Sequence, residues 1–548
     1  MKNPGRIELT TVQVEDLIER IKCSNLSVEN RDRLVYLVRA FGWMNQTLEE
    51  KSLSIARLRR LFGIQTEKAS HILDAIESEL DSEESESAHE LGRDEAAGKD
   101  RKAKAPGHGR RGAEAYKTVK KVAYPHERLK VGMKCPGCAR GKLCGLEPGK
   151  VLRIAGVAPL EATLHQPERL RCATCGEVYK ATLPPEIGTE KYDASAKAMV
   201  AVFRYGNGMP MNRLENFQKS LGVPLPAGTQ WELLESVVDD VRPVFEGLIQ
   251  AAAQGDLFYN DDTTVKILSL MNEQKEAKKA GEDLERTGMF TTGIVSVVSA
   301  QKILLFFSGR SHAGENLNNL LARRADGLGA PLQMCDALSR NEPAQAETVV
   351  ANCLTHGRRT FYDVYTAFPD QVKFAIGLFR EVYRNDATAK KQGMSPEERL
   401  RYHQEKSGPV MTELNAWMDD HLTMKKVEPN SSLGKAMQYM RNHWEKLTRF
   451  LTVPGAPLTN DDCERLLKTA IRHRNNSLFY KTEAGAEVGD ILMSLIQTAT
   501  QAGANPFKYL IALQKNKASV AELPEHWFPW NYEETLASLG NGSAGPSP

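Results

Sequence analysis

The sequence predicts a multidomain α+β chain: a helical N-terminal region, a small four-cysteine metal module and an α/β core interrupted by helices. Three observations predict it. Two Cys-x-x-Cys pairs, Cys135-Pro-Gly-Cys138 and Cys172-Ala-Thr-Cys175, stand in the first third of the chain. Runs rich in β-branched and aromatic residues gather between positions 257 and 354, and helical apolar spacing dominates on either side of them. At 548 residues the chain has room for about three or four domains.

Composition narrows the class. The chain is 41% hydrophobic and 26% charged, which is globular, and no apolar run approaches the roughly 18 residues of a membrane span. The start Met1-Lys-Asn-Pro-Gly-Arg lacks the apolar stretch of a signal peptide, so a cytoplasmic location without membrane contact is expected. A formal net charge of +2 implies no nucleic-acid partner by itself; any such argument rests on local patches. Nine cysteines in a reducing compartment favour metal over disulfides.

Residues 1–80 read as helices, with apolar clusters at Leu17–Ile21 and Leu34–Val38 followed by Leu48, Leu53, Ile55, Leu58 and Leu61 at spacings of two to five. Helix packing, self-association and DNA binding are all open there, and Arg59 and Arg60 beside an apolar stripe are the candidate DNA contacts. Residues 81–130 form a charged linker, acidic first and basic afterwards, whose low hydrophobicity predicts disorder. Within it Pro106-Gly-His-Gly-Arg-Arg-Gly112 places Arg110 and Arg111 where they could follow phosphates or enter a minor groove. Residues 131–185 hold Cys135, Cys138, Cys172 and Cys175, two knuckles able to converge four thiolates on one tetrahedral, structural Zn²⁺. Redox cysteines and four small core residues are the competing readings. Residues 186–254 read as a helical DNA-binding or spacer region, one helix beginning near Thr229 and breaking at Pro243.

The texture then turns to sheet. Leu257–Leu268, Thr291–Val298 and Lys302–Phe307 read as three strands, the last two a hairpin. A helix from Gly314 to Arg324, a short strand from Pro331 ending at Asp336, and a strand from Glu347 to Leu354 follow. That is the element order of a ribonuclease-H-like domain, placed at 255–500 with a helical insertion at about 358–451. Residues 501–548 read as a C-terminal tail. Late in the core, Asn460-Asp-Asp-Cys-Glu-Arg465 opens an amphipathic helix, with Asn460 as N-cap and Asn475-Asn476 as its end. Glu464 and the cations Lys468 and Arg472 then share one face. By itself this is an ordinary solvated charged face.

Carboxylates on rigid strands and a helix suit two Mg²⁺ ions that activate an attacking oxygen and stabilise a leaving 3′ oxygen. The candidates are Asp261 or Asp262, then Asp336, then Glu464. Asp261 and Asp262 point to opposite faces of their strand, so one of them joins the site, and the pattern alone does not choose. Cys353 and His356 form a Cys-x-x-His element without a visible partner pair, which favours a structural or DNA-positioning role over zinc ligation. Arg358, Arg359, Arg472 and Arg474 are candidate phosphate contacts.

The motifs together resemble the large transposase of the insertion sequence 66 family, in the Asp-Asp-Glu (DDE) group. The resemblance runs through Leu58-Arg-Arg-Leu-Phe-Gly63, the Gly-His-Gly-Arg linker, the four cysteines and Asp261-Asp-Thr-Thr-Val. It continues through Cys353-Leu-Thr-His-Gly-Arg-Arg359, Asn460-Asp-Asp-Cys-Glu-Arg465, Arg474-Asn-Asn-Ser-Leu-Phe479 and Asn505-Pro-Phe-Lys-Tyr-Leu510. It implies a DNA transposase that binds terminal inverted repeats and performs Mg²⁺- or Mn²⁺-dependent cleavage and strand transfer. The implied metal ligands are Asp261, Asp336 and Glu464. It also implies double-stranded DNA at the nucleoid as partner and a homo-oligomer at the paired ends, and it leaves open whether accessory proteins of the element take part. Three departures stand out: Asp262 where Glu is usual, Ala-Leu-Ser-Arg-Asn after Asp336 where many relatives carry Gly-Tyr-Ala, and Asn-Asp-Asp-Cys before Glu464 where relatives often show Asp-Asn-Asn. A catalytically silent DNA-binding relative and a nuclease without strand joining are the alternatives.

Overall fold

The computed structural model describes residues 190–282 and 286–542, together with 11–23, 159–171, 178–185 and short stretches before residue 143. The chain divides into two compact units, 1–93 with 359–377, and 94–358 with 378–548. In the first, Thr11–Lys22 is an α-helix. The second holds the sheet. Among the described residues no helix is long and apolar enough to cross a membrane.

The architecture is mixed α/β. Five strands form one sheet: β1 Leu257–Thr264, β2 Phe290–Val298, β3 Gln301–Gly309, β4 Leu332–Cys335 and β5 Val349–Asn352. They lie in the order β3-β2-β1-β4-β5. β2 runs antiparallel to both of its neighbours, while β1, β4 and β5 are parallel. The hairpin between β2 and β3 closes on Ser299 and Ala300, and Ser299 takes φ 54°, a left-handed conformation that glycine usually fills. A separate two-stranded ribbon pairs Arg169–Arg171 with Val178–Lys180.

The open edge of β3 is not left bare. Backbone N–H groups of Leu304, Phe306 and Ser308 donate to Thr498 Oγ1 at 3.1 Å, Ser494 Oγ at 2.9 Å and Asp490 Oδ2 at 2.6 Å. All three acceptors project from the edge helix Glu483–Gln501. Two strand residues advance about 6.7 Å and four helix residues about 6 Å, so acceptors every four residues meet donors every two. The edge that could template aggregation is thereby satisfied.

One helix runs unbroken from Ala227 to Ala252, passing through Pro243 where the sequence predicts a break. Val237, Val238, Val241, Val244, Phe245 and Leu248 are buried on both sides of the proline. Their burial outweighs the roughly 3 kcal/mol that an internal proline costs. Within the stretch expected as a C-terminal tail, residues 506–542 are mostly helical. Helix Pro506–Lys515 buries Tyr509, Leu510 and Leu513, and the Tyr509 hydroxyl donates to the carbonyl of fully buried Trp527 at 2.8 Å.

Between β5 and the Glu464 helix lie helices Pro369–Lys391, Pro396–Lys406, Gly408–Thr423 and Ser432–Asn442, where helical insertion is expected. Ser395 and Glu398 cap the second of these reciprocally. Buried Asp386 is gripped by Arg399 at 2.7 Å, Lys390 at 2.8 Å and His403 at 3.4 Å.

Candidate functional site

The site is built where β1 and β4 run side by side. Leu257, Phe258 and Tyr259 pair in register with Leu332, Gln333 and Met334. Continued by two residues, that register sets Asp336, just past the end of β4, level with Asp261. β5 extends the row: Cys335 pairs with Asn352, so Cys353 follows at the same level, and its N–H donates to the Cys335 carbonyl at 3.0 Å. Beneath the row, buried Gln333 donates to Asn260 Oδ1 at 2.9 Å and Asn260 donates to the Asn341 carbonyl at 2.8 Å. This polar lattice locks β1 to β4 below the acids.

Which face of β1 is used follows from its antiparallel neighbour. Asp261 pairs with Gly293 and Asp262 with Thr292. A Cβ on Gly293 would come within 3.0 Å of Leu467 Cδ2 and 3.4 Å of Leu466 Cδ2, so the helix Asp461–Ser477 rests directly on it. Cys463 of the same helix donates its S–H to the Gly293 carbonyl at 3.2 Å. Opposed residues of an antiparallel pair share a face, so Asp261 faces the helix that carries Glu464. Asp262 faces the other way. Its buried carboxylate meets His312 Nδ1 at 3.0 Å and Arg340 at 3.2 Å.

The charges of the row act on one another. Burial pushes Asp261 up to about 8, and the Asp336 carboxylate adds to it. Glu464 is also raised, chiefly by burial; His356 opposes the rise while Asp461 and Asp336 support it. His356 Nδ1 lies 2.6 Å from Asp336 Oδ1. Burial alone would lower His356, but Asp336 and Cys353 reverse that and hold it up at about 11. A group of buried carboxylates held against mutual repulsion fits a hard divalent cation, whose charge would remove the penalty.

The expected N-cap behaves differently. The Asn460 side chain makes no cap; it donates to the Asn260 carbonyl at 3.3 Å, and the Asn460 N–H donates to Cys353 Sγ at 3.3 Å. Because Asn460 is fully buried between β1 and Cys353, it ties the start of the helix to the sheet. Asp462 pairs with Lys302 at 2.7 Å and with Arg465. The helix ends one residue beyond the expected asparagines, at Ser477, with Leu478 in a left-handed conformation at φ 67°.

The expected cationic contacts divide. Lys468 and Arg472, on the Glu464 helix, are exposed. Arg474 is half-buried and donates to Thr263 Oγ1, the Thr264 carbonyl and Thr264 Oγ1 at 2.9, 2.6 and 3.0 Å, which anchors the helix to the end of β1. Arg358 stacks on Tyr383, 4.6 Å from the ring centre, and Arg359 is exposed. Arg59, Arg60, Arg110, Arg111 and the cysteines Cys135, Cys138, Cys172 and Cys175 lie outside the described residues. Sequence reasoning missed His312 and Arg340 as partners of Asp262, and Asp336 as the neighbour of His356. No local spacing signals either, because both depend on sheet order.

Comparison with known proteins sets this geometry in a lineage. Three proteins of Sinorhizobium fredii (strain NBRC 101917 / NGR234) are similar, each 24% identical. They are the uncharacterized proteins y4jD over 355 residues, y4hP over 398 and y4qI over 347. The matches cover 61%, 68% and 61% of this chain and 65%, 68% and 62% of those relatives. The chain thus spans less than two thirds of y4jD and y4qI. A family model described as Transposase IS66 family matches residues 190–488, a span that includes all five strands, Asp261, Asp336 and Glu464. Since that match takes in more than half of the chain, the chain belongs to the IS66 transposase family.

Proposed function

We propose that this protein is a DNA transposase whose ribonuclease-H-like core cleaves and joins DNA at Asp261, Asp336 and Glu464. The observation that carries the reading is the level row: two aspartates from neighbouring parallel strands, beneath a helix that delivers Glu464 on the same face. Family membership supports the substrate class.

The three carboxylates would hold Mg²⁺ or Mn²⁺. Once bound, the metal would neutralise charge at a scissile phosphate and raise the nucleophilicity of the attacking oxygen. The chain's own contribution is positional. β1 and β4 fix two carboxylates in register, and Gly293 lets the helix sit close enough to bring the third. Exposed Lys468 and Arg472, one turn apart, can hold the phosphates flanking the cut, and exposed Arg359 is a candidate phosphate contact of the other unit. Arg474 steadies the helix. The N-terminal helices with Arg59 and Arg60, the basic linker with Arg110 and Arg111, and a zinc-bound Cys135/Cys138/Cys172/Cys175 module would recognise the terminal inverted repeats. A homo-oligomer would pair the two ends.

The test is an assay of Mg²⁺-dependent cleavage and joining on DNA bearing the element's ends. Wild type should yield cut and joined products, and Asp261→Asn and Glu464→Gln should yield neither. Equal product from either variant would overturn the assigned site. Cleavage without joining would make the protein a nuclease of the same fold, and binding without cleavage a silent DNA-binding relative.

A further inference from the structure

We propose that Asp336, Cys353 and His356 form a second cation site, selective for a soft transition ion of the Zn²⁺ class. One donor atom from each of the three lies within 4.8 Å of the other two. The topology explains why. Cys353 follows β5 at the level where Asp336 follows β4, and His356 stands one helical turn on, in helix Leu354–Tyr362. Asp336 is therefore the middle of a row, with carboxylate chemistry toward Asp261 on one side and sulfur and imidazole on the other.

Two further features of the cluster point to a ligand. Asp336 Oδ1 and His356 Nδ1 are buried and approach to 2.6 Å, and Cys353 stands beside the same imidazole, so three metal-ligating groups are already gathered at one point. The Cys353 sulfur is fully buried and already accepts the N–H of Asn460 at 3.3 Å, an outer contact that stabilises a thiolate. Sulfur, imidazole and one carboxylate suit Zn²⁺ or Co²⁺, whereas Mg²⁺ takes oxygen ligands in an octahedron. Three protein ligands leave one tetrahedral position open. Binding displaces the thiol proton and the imidazolium proton to solvent.

The consequence concerns the proposed reaction and rests on that reading; the binding itself does not. Zn²⁺ seated here takes Asp336 away from the carboxylate set, so it should inhibit Mg²⁺-dependent cleavage, and loss of Cys353 should relieve the inhibition. Binding is read by titrating Co²⁺ into the full chain, comparing wild type with Cys353→Ser, His356→Gln and Asp261→Asn. Wild type and Asp261→Asn should each take up one equivalent of Co²⁺ more than Cys353→Ser. That extra equivalent should bring a sulfur-to-cobalt charge-transfer absorption in the near ultraviolet. His356→Gln should bind that equivalent roughly tenfold more weakly or worse. Zn²⁺ should displace it and millimolar Mg²⁺ should not. Equal equivalents and equal absorption in wild type and both ligand variants, or displacement by Mg²⁺, would overturn the site. Should Cys353→Ser fail to fold by circular dichroism, His356→Gln and the Zn²⁺/Mg²⁺ competition on wild type decide alone. The absorption is measured without DNA, so it stands or falls independently of the transposase reading.

Discussion

Asp261 and Asp262 are consecutive, identical in chemistry and carried by one strand, yet they live in opposite electrostatic worlds. Asp262 points to the face where His312 and Arg340 wait at 3.0 and 3.2 Å, and its charge is matched within the fold. Asp261 points to the face where Asp336 and Glu464 gather, and burial with like charge pushes it up to about 8. A matched carboxylate contributes to holding β1 against its neighbours. An unmatched one lowers stability and remains available to a ligand the fold does not contain. The difference is set by strand alternation alone, since a one-residue slip of β1 would exchange their roles.

The sharpest way to break the comparison is to neutralise each in turn. Asp261→Asn should lower Mg²⁺-dependent product by roughly 10³-fold or more, several kcal/mol of transition-state stabilisation. Asp262→Asn should retain most activity in protein that stays folded. Single-turnover cleavage assays measure both, and similar losses in the two variants would erase the proposed distinction.

Stability should invert the order. Asp262→Asn strands His312 and Arg340, and a loss of about 1–3 kcal/mol is expected, tempered because both partners are partly exposed. Asp261→Asn removes repulsion and should leave the metal-free fold equal to or above wild type. Denaturant midpoints give the comparison directly.

Asp261 or Asp262, Asp336 and Glu464 could be put forward as candidates because strands and helices announce themselves by periodicity, and the family resemblance preferred Asp261. Which of Asp261 and Asp262 faces Glu464 does not follow from the pattern, because it depends on where a helix some 200 residues later lands on the sheet. Gly293 was the available hint: a glycine inside a β-branched run marks close approach of something else. His356 illustrates the same limit. Its partner Asp336 is local only in the folded sheet, so Cys353-Leu-Thr-His356 looked like half a motif. Asn460 carried a familiar cap signature but serves the strand behind it, and the proline in Ala227–Ala252 was overruled by packing. Local rules gave way at points where tertiary contacts supplied more free energy.

Proton linkage provides a third test. A carboxyl raised in the folded state contributes stability below its ordinary value near 4, and loses that contribution as pH climbs through the folded value. For Asp261 the window runs from about 4 to about 8. Metal-free protein should therefore lose melting temperature across this range, and Mg²⁺ should restore more of it at pH 8 than at pH 5, since the cation binds the ionised acids. In Asp261→Asn both the slope and the Mg²⁺ effect should shrink. A slope unchanged by the substitution would assign the linkage elsewhere.

Asp490 offers the smallest expected effect and the cleanest control. It too is a carboxylate out of bulk water, carried by the helix against the β3 edge and pushed up to about 7 by burial, but it accepts from Ser308 N–H and Oγ, with Glu487 as a minor like charge. By the same sign its contribution is lost between about 4 and about 7 as pH rises. Asparagine keeps an oxygen for the Ser308 N–H, so Asp490→Asn should match wild type near pH 5 and melt at or slightly above it at pH 8. Activity should be unchanged. The melting temperature should respond to Mg²⁺ as in wild type, because the cation acts at Asp261 and not at the β3 edge. A Mg²⁺ response that disappeared with Asp490 would mean that burial alone, without convergence of carboxylates, is enough to attract the cation, and the contrast between Asp261 and its neighbour would lose its explanation.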